Sequence, residues 1–580
     1  MRSSRDILGS RVKKAKILTI LPPQICKMKK LYFLAALFVS VQVMAQEPVG
    51  FRESSESFNS RVVSVQVSDL TSEELWAMAD ESDKNGTLPI YGKIIEHPMN
   101  SLSDGDWTYF PNGDKMWQLR VHSIGALSMD VFFKQLYLPE GTSLFAYTAD
   151  REWFVGPYDS EENSTSGKYR TPEIFGDEIV LEYYQPFEVM EQPVLNIRGF
   201  GHYFRFVHDD RFERASDPCE IDIKCPEGDE WADDMRAVVK LSIPAGGGVG
   251  LCSGTLMNNT SYDCRKFVLT AMHCTESSST ADFGNIVVRF NYQKSACGTG
   301  ISSSAQQKTG TTRLADSNDG GGSSGSDFCL LEMTQAIPTT WPVYYAGWNA
   351  STSTPTASAS GWKAICIHHP AGDVKKISTA GTVTTGTWQT SGQHWRVNWI
   401  ETVTNWGVTE GGSSGSPLFN KDHQVIGTLT GGGSFCTAQT APDYYGKMDK
   451  HFTGNPNPSN EDLVDWLDDA GTGILAIDGS YPGTAAVQPC FGVVGVDESL
   501  SFQELTMFPT RVEDSFTLIC PRFDLLKEIR IYTQDGRLVE SLNLNASSTT
   551  ISANAFAGGM YFIQVVKKDG SSFNKKFVKL

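Results

Sequence analysis

The sequence predicts an all-β protein: a double β-barrel closed by one helix over residues 219–479, preceded by a β-sandwich and followed by a small β-sandwich. Three observations carry that expectation. Short runs alternating apolar and polar residues recur on both sides of the middle region, with turn signals between them. The middle region itself shifts to many short strands, glycine-rich loops and cysteines, and one helical pattern, EDLVDWLDDA, closes it. The 580 residues, with 53 glycines, 26 prolines, 40% hydrophobic and 20% charged residues, describe globular material divided among several compact units. A formal charge of −18 repels phosphate backbones and anionic lipid, which argues against general nucleic-acid binding and leaves a small or cationic substrate group compatible.

The elements follow in chain order. Residues 1–27 are rich in basic side chains and read as a mis-assigned N-terminal extension, with translation expected from Met28. Residues 28–45 have the pattern of a signal peptide: Lys29 and Lys30, the apolar run LYFLAALFVSVQV, and the small Ala45 before a cleavage point at Gln46. That run is too short for a comfortable membrane-spanning helix. Export places the cysteines where disulfides persist. Residues 46–218 are read as a β-rich propeptide with a processing linker over 199–218, in which Arg205, Arg211 and Arg214 stand. Strands such as MWQLRVHSI, MDVFFKQLYL and IVLEYY carry no cysteine and no cluster of nucleophile and base, so a chaperoning or inhibitory role is expected there. The middle region, 219–479, is followed by a linker over 480–504 and by a C-terminal sandwich over 505–580, whose QDGR and KDGS turns mark hairpins.

The chemistry is expected in the middle region. RKFVLTAMHC runs an apolar strand into His273, SDFCLLEM sets Asp327 before another, and GGSSGSPLF sets Ser414 in a glycine-flanked turn. A serine hydroxyl is a weak nucleophile until a base takes its proton, and an imidazole does so when a carboxylate fixes its tautomer, so the three types belong together. Their order, His273, Asp327, Ser414, is that of the two-barrel serine proteases. The backbone N–H groups of Gly412 and Ser414 are expected to face the developing oxyanion. GGSSGS also occurs at 321–326, but no apolar strand follows that copy, so Ser324 is read as flexible loop and Ser414 as the nucleophile. His202, His208, His423 and His451 are read as ordinary polar residues. His368 and His369 are adjacent and diverge in an extended strand, so no metal site and no cofactor are expected.

These strings, together with CEIDIKCPEGDEW, LCSGTLMNNT, AICIHHP, SFC, DYYGK and DLVDWLD, resemble the secreted bacterial lysyl endopeptidases, trypsin-like enzymes of the Achromobacter protease I type, over about 219–479. The resemblance implies catalytic His273, Asp327 and Ser414, and disulfides Cys219–Cys436, Cys225–Cys297 and Cys252–Cys274. It also implies an S1 pocket built on Asp443, with Trp388 beside the active site. Thr430 stands where the family has a histidine packed on that tryptophan, which opens the pocket to arginine as well as lysine. Ser413 before the nucleophile argues against activation by an inserted α-amino group, leaving removal of the propeptide as the trigger. Cys264, Cys329 and Cys366 lack family partners, Cys329 reading as a core thiol; the pairing of Cys490 and Cys520 stays open. MFPTRVEDSFTLICPRF through GGMYFIQVVKKDGSSFNKKFVKL resembles the type A sorting domain of the type IX secretion system of Bacteroidota. The implied partners are proteins or peptides with a basic P1 residue and the type IX machinery, for a monomer released or held at the cell surface. The alternatives are a serine endopeptidase of other P1 choice, such as the glutamyl type, and an inactive protease-like surface adhesin.

Overall fold

The computed structural model describes residues 47–52, 62, 64–68, 70–85, 87–205, 216–300, 306–455 and 462–482. Toward the C-terminus it describes 506–508, 511–512, 515–519, 526–533, 537–543, 548–568 and 572–579. The expected N-terminal extension and signal peptide, Arg211, Arg214, His208, Cys490 and Cys520 lie outside the described residues. Among those described, the protein is mostly strand, and no helix is long and apolar enough to cross a membrane.

The N-terminal unit holds the α-helix α1 (Ser72–Asn85) and a sandwich built from β1 (Ile90–Asn100), β2 (Lys115–Ser123), β3 (Ser128–Tyr137), β4 (Ser143–Thr148), β5 (Glu178–Gln185) and β6 (Val194–Tyr203). One layer runs β2-β5-β4 and the other β1-β6-β3. Inward-facing Trp117, Leu119, Phe133, Leu144, Leu181 and Ile197 fill the space between them.

The second layer does not stop at the unit's border. β1 pairs antiparallel with β8 (Gly248–Met257), which is hydrogen-bonded in turn to β7 (Val238–Ala245), so that one 12-stranded sheet runs through the N-terminal unit and the first barrel. β7 and β8 are buried along their whole length, as strands covered on both faces must be. The two-residue turn between them, Gly246-Gly247, has φ of 57° and 81°, a left-handed pair that glycine adopts without steric cost. β8 continues to β9 (Phe267–Thr270) and β9 to β10 (Cys329–Met333).

The second barrel runs β14-β11-β12-β13-β16-β15 and closes through β14–β15. Its strands are β11 (Ala364–His368), β12 (Lys376–Thr387), β13 (Ser391–Trp399), β14 (Pro417–Phe419), β15 (Gln424–Gly432) and β16 (Asp443–Lys447). Trp395, Val397, Trp399, Leu418, Leu429 and Tyr445 fill it. A further cluster, including Phe267, Leu269, Phe328, Trp348, Ile365 and Phe419, joins residues of both barrels. Truncating any such buried aromatic to alanine costs about 3–5 kcal/mol.

The closing helix differs from expectation. α2 (Met448–Thr453) directly follows β16, whereas EDLVDWLDDA yields only the single turn α3 (Val464–Leu467). The Leu467 carbonyl accepts the N–H of Thr260, and the Asp468 carboxylate accepts the N–H groups of Thr472 and Gly473, so competing partners end the helix. At the C-terminus, β17 (Leu526–Thr533), β18 (Gly559–Lys567) and β19 (Ser572–Lys579) form the middle of a five-stranded sheet, packed through Ile529, Ile531, Ile563, Val565 and Phe516.

Candidate active site

Strand pairing explains why residues distant in sequence meet. β9 and β10 are antiparallel with Thr270 opposite Cys329, so the segments carrying His273 and Asp327 emerge at the same end of the pair. One Asp327 oxygen accepts the His273 backbone N–H at 3.0 Å and the other lies 2.7 Å from His273 Nδ1. Both side chains are buried, at 8% and 0% exposure. Burial works against the imidazolium, but the charge and hydrogen bond of Asp327 outweigh it and raise the His273 pKa. Burial likewise works against the Asp327 carboxylate, and His273 more than offsets it, holding its pKa below the ordinary value. Asp327 has φ of 59°, and its N–H donates to Asp319 Oδ2 at 2.8 Å, while Asp319 Oδ1 accepts the Gly322 N–H. A buried second aspartate therefore holds the backbone of the first.

The Ser414 turn lies against the segment that leads to His273. A Cβ on Gly415 would fall 2.2 Å from Thr270 Oγ1 and 2.7 Å from the Ala271 nitrogen, and φ there is 77°, so only glycine fits. The surrounding carbonyls are pinned: Gly411 accepts from Ala371 N–H, Gly412 from Ser253 Oγ, Ser413 from Ser416 N–H, and Ser414 from Ser253 N–H. In each planar peptide the N–H points opposite the carbonyl. The N–H groups of Gly412 and Ser414 are thereby turned the other way, with no hydrogen-bond acceptor among the described residues. Ser414 is partly exposed. His273 Nε2 faces no hydrogen-bond partner among the described residues, and it is not hydrogen-bonded to Ser414.

Asp443 opens β16 and is fully buried. Trp399 Nε1 (2.6 Å), Thr409 Oγ1 (2.7 Å) and Ser434 Oγ (2.6 Å) donate to Oδ2, and Ser434 N–H (3.1 Å) donates to Oδ1. Burial raises the Asp443 pKa against these donors. Trp388 packs over the neighbouring strand, 3.3 Å from where a Gly431 Cβ would be, and 5.4 Å from the Tyr444 ring. Thr430, on that strand, bonds His394 Nε2 at 3.0 Å through Oγ1. A side chain at Gly322 would touch Thr430, Asp327 and His394 together, so a second imidazole sits beside the candidate triad. Burial depresses its pKa to about 4.

Several residues escape a sequence reading. Ser253, Asp319 and His394 carry no local motif, since their roles come only from tertiary contact. The first GGSSGS copy is not a flexible loop: Asp319 caps it, and Ser326 Oγ bonds His451 Nδ1 at 2.9 Å, while His451 Nε2 bonds Thr428 at 3.0 Å. His451 is thus a fully buried strut rather than an ordinary polar residue. His202 bonds Ser123, and His423 pairs with Asp234. Disulfides join Cys219–Cys436, Cys225–Cys297 and Cys252–Cys274, and Cys264 is also disulfide-bonded. Cys329 and Cys366 are buried free thiols whose pKa burial pushes up to about 12. The two groupings of histidine, cysteine and carboxylate that come together each include disulfide sulfur, which is not a thiolate ligand.

Comparison with known proteins places these features. Residues 214–446 match the family described as lysyl endopeptidase, C-terminal domain, and residues 506–579 match the secretion system C-terminal sorting domain. A lysyl endopeptidase of Pseudomonas aeruginosa is 28% identical over 372 residues, covering 60% of this chain and 76% of that protein. Among solved structures, a serine endoprotease from Yersinia pestis is 18% identical with a TM-score of 0.23, covering 37% of this chain and 59% of its own. Protease Anisep from Arthrobacter nicotinovorans is 18% identical with a TM-score of 0.26, covering 37% of this chain and 90% of its own. The family match and the Pseudomonas aeruginosa relative define the class, a serine endopeptidase. More particularly, the chain joins a region similar to lysyl endopeptidases to a sorting domain that indicates type IX secretion to the cell surface or the extracellular space.

Proposed function

We propose that the chain hydrolyses peptide bonds after lysine, and accepts arginine, through His273, Asp327 and Ser414. In this reading Ser414 Oγ attacks the scissile carbonyl as its proton passes to His273 Nε2, with Asp327 steadying the imidazolium. The N–H groups of Gly412 and Ser414 take the oxyanion. The proton then moves to the departing amine, which leaves an acyl-enzyme for water to open. The observation that carries the specificity is the chemistry at Asp443, a buried carboxylate whose hydrogen bonds all come from neutral groups. Such a group is left with an uncompensated charge that a P1 ammonium or guanidinium neutralises and an apolar side chain does not.

Two further features support the reading: the unpartnered Nε2 of His273 and the pinned carbonyls around Ser414. The test is turnover of a lysyl peptide ester together with fluorophosphonate labelling. Ser414→Ala should abolish labelling and lower kcat by about 10⁶-fold. Retention of either would sink the triad and leave a protease-like adhesin as the better reading.

A further inference from the structure

The N-terminal unit meets the protease region where β8 leads into the site. β8 carries Cys252, bonded to Cys274 beside His273, and Ser253, which holds the Ser414 turn. Its first residues form an edge that β1 fills, with Gly248 opposite Lys93, Val249 opposite Gly92 and Gly250 opposite Ile90. Just beyond the paired residues, Leu251 N–H donates to the Pro89 carbonyl at 3.1 Å. The two segments interlock because β8 has glycines there: a Cβ on Gly250 would lie 2.2 Å from Leu88 Cγ, and one on Gly248 3.1 Å from Ile90 Cδ1. Pro89 also covers the nucleophile loop, its Cγ 3.1 Å from where a Gly411 Cβ would be. Residues 88–90 thus lie between the strand that reaches Ser253 and the loop that reaches Ser414.

We infer that residues 88–90 occupy the leaving-group side of the substrate cleft in the uncleaved chain, excluding peptides that extend beyond the scissile bond while leaving the acyl side open. The inference rests on the reading of Asp443 given above. Asp443, Thr409 and Ser434 belong to the second barrel, whereas the β8 edge belongs to the first. A substrate whose P1 side chain enters the second barrel, with its carbonyl at Ser414, runs onto the β8 edge with the residues that follow. Extended peptides are held on such edges by backbone hydrogen bonds, and the Leu251 N–H cannot serve two chains at once. The occupant is held by contacts remote from the cleft: Tyr91 and Arg170 both bond Ser242 Oγ, at 2.6 and 2.9 Å, and Lys308 pairs with Glu162 at 2.8 Å. This tethering gives it a high effective concentration until the unit departs.

The test compares the processed enzyme with a full chain carrying Arg211→Gln and Arg214→Gln, which removes both basic residues from the segment 206–215. Two substrates are used: a lysyl thioester without residues beyond the scissile bond, and an internally quenched peptide with four residues after its lysine. The uncleaved chain should label with a fluorophosphonate and turn over the thioester within about threefold of the processed enzyme. It should cleave the extended peptide at least tenfold more slowly in kcat/KM. Adding Leu88→Ala, or Pro89→Gly, which leaves the Leu88 contact in place, should restore peptide cleavage without changing thioester turnover. Equal peptide rates for cleaved and uncleaved chains would overturn the inference. So would loss of thioester turnover in the uncleaved chain alone, because the block would then reach the acyl side. Absence of labelling in both forms would instead overturn the triad on which the inference stands.

Discussion

Replacing Asp443 with asparagine separates the charge of the pocket from its shape. The two fixed N–H donors go to different oxygens, Trp399 Nε1 to Oδ2 and Ser434 N–H to Oδ1. An amide has one acceptor oxygen, so in either orientation one buried donor faces an NH₂ group. Leaving such a donor unpaired costs about 1–3 kcal/mol. Against this, the substitution removes a carboxylate whose pKa burial has raised, so it relieves a penalty present at neutral pH, and thermal stability should change little at pH 7. That relief should vanish on acidification, once the wild-type group is protonated, and the variant should then fall behind the wild type. In the proposed reading the lysine complex is affected differently, because the P1 ammonium loses the carboxylate that compensates it in a buried site, worth about 3–5 kcal/mol. At about 1.4 kcal/mol per tenfold, kcat/KM for a lysyl substrate should drop by about 10²- to 4 × 10³-fold, while a methionyl substrate keeps its low rate. The assay is kcat/KM for a matched peptide pair differing only at P1, with a melting curve for each variant. An Asp443→Asn enzyme that melts normally and still prefers lysine would refute the pocket assignment.

Asp319→Ala should lower kcat on lysyl esters by about tenfold and leave KM nearly unchanged, since it frees the Asp327 backbone rather than any substrate contact; an unaltered kcat in a folded variant would rule out a positioning role. Burial holds His368 and His451 to a pKa of about 3 and His394 to about 4, below the ordinary 6.5, so the unfolded chain binds more protons between those values. Each histidine's contribution is therefore complete above pH 6.5 and lost as pH falls, at up to about 1.4 kcal/mol per pH unit. His451→Gln should show a correspondingly shallower loss of denaturant stability between pH 6.5 and 4.5, and a slope identical to wild type would contradict the buried neutral state.

His273, Asp327 and Ser414 stand out in the sequence as candidates because each lies at a strand end or in a glycine-flanked turn, where local pattern and chemistry coincide. It also revealed the barrels, whose strands are short and bounded by turn residues. Ser253 and Asp319 stayed hidden because they act through hydrogen bonds to backbone far away in the chain, and nothing local distinguishes them from other polar residues. The division at residue 218 followed composition, yet the β1–β8 pairing crosses it, since edge-to-edge pairing depends on register between strands and leaves no trace in either strand alone. Apolar periodicity in EDLVDWLDDA was real, but Thr260 and the Asp468 side chain claimed the groups a longer helix needs.

The bridge between Cys219 and Cys436 fastens the first residues of the catalytic region two positions from Ser434, whose N–H and hydroxyl both reach Asp443. The Ser434 donors to Asp443 are therefore anchored, two residues away, by a covalent link that ties the start of the middle region to this segment. Reduction removes that anchor, whereas the oxidising conditions outside the cytoplasm keep it closed.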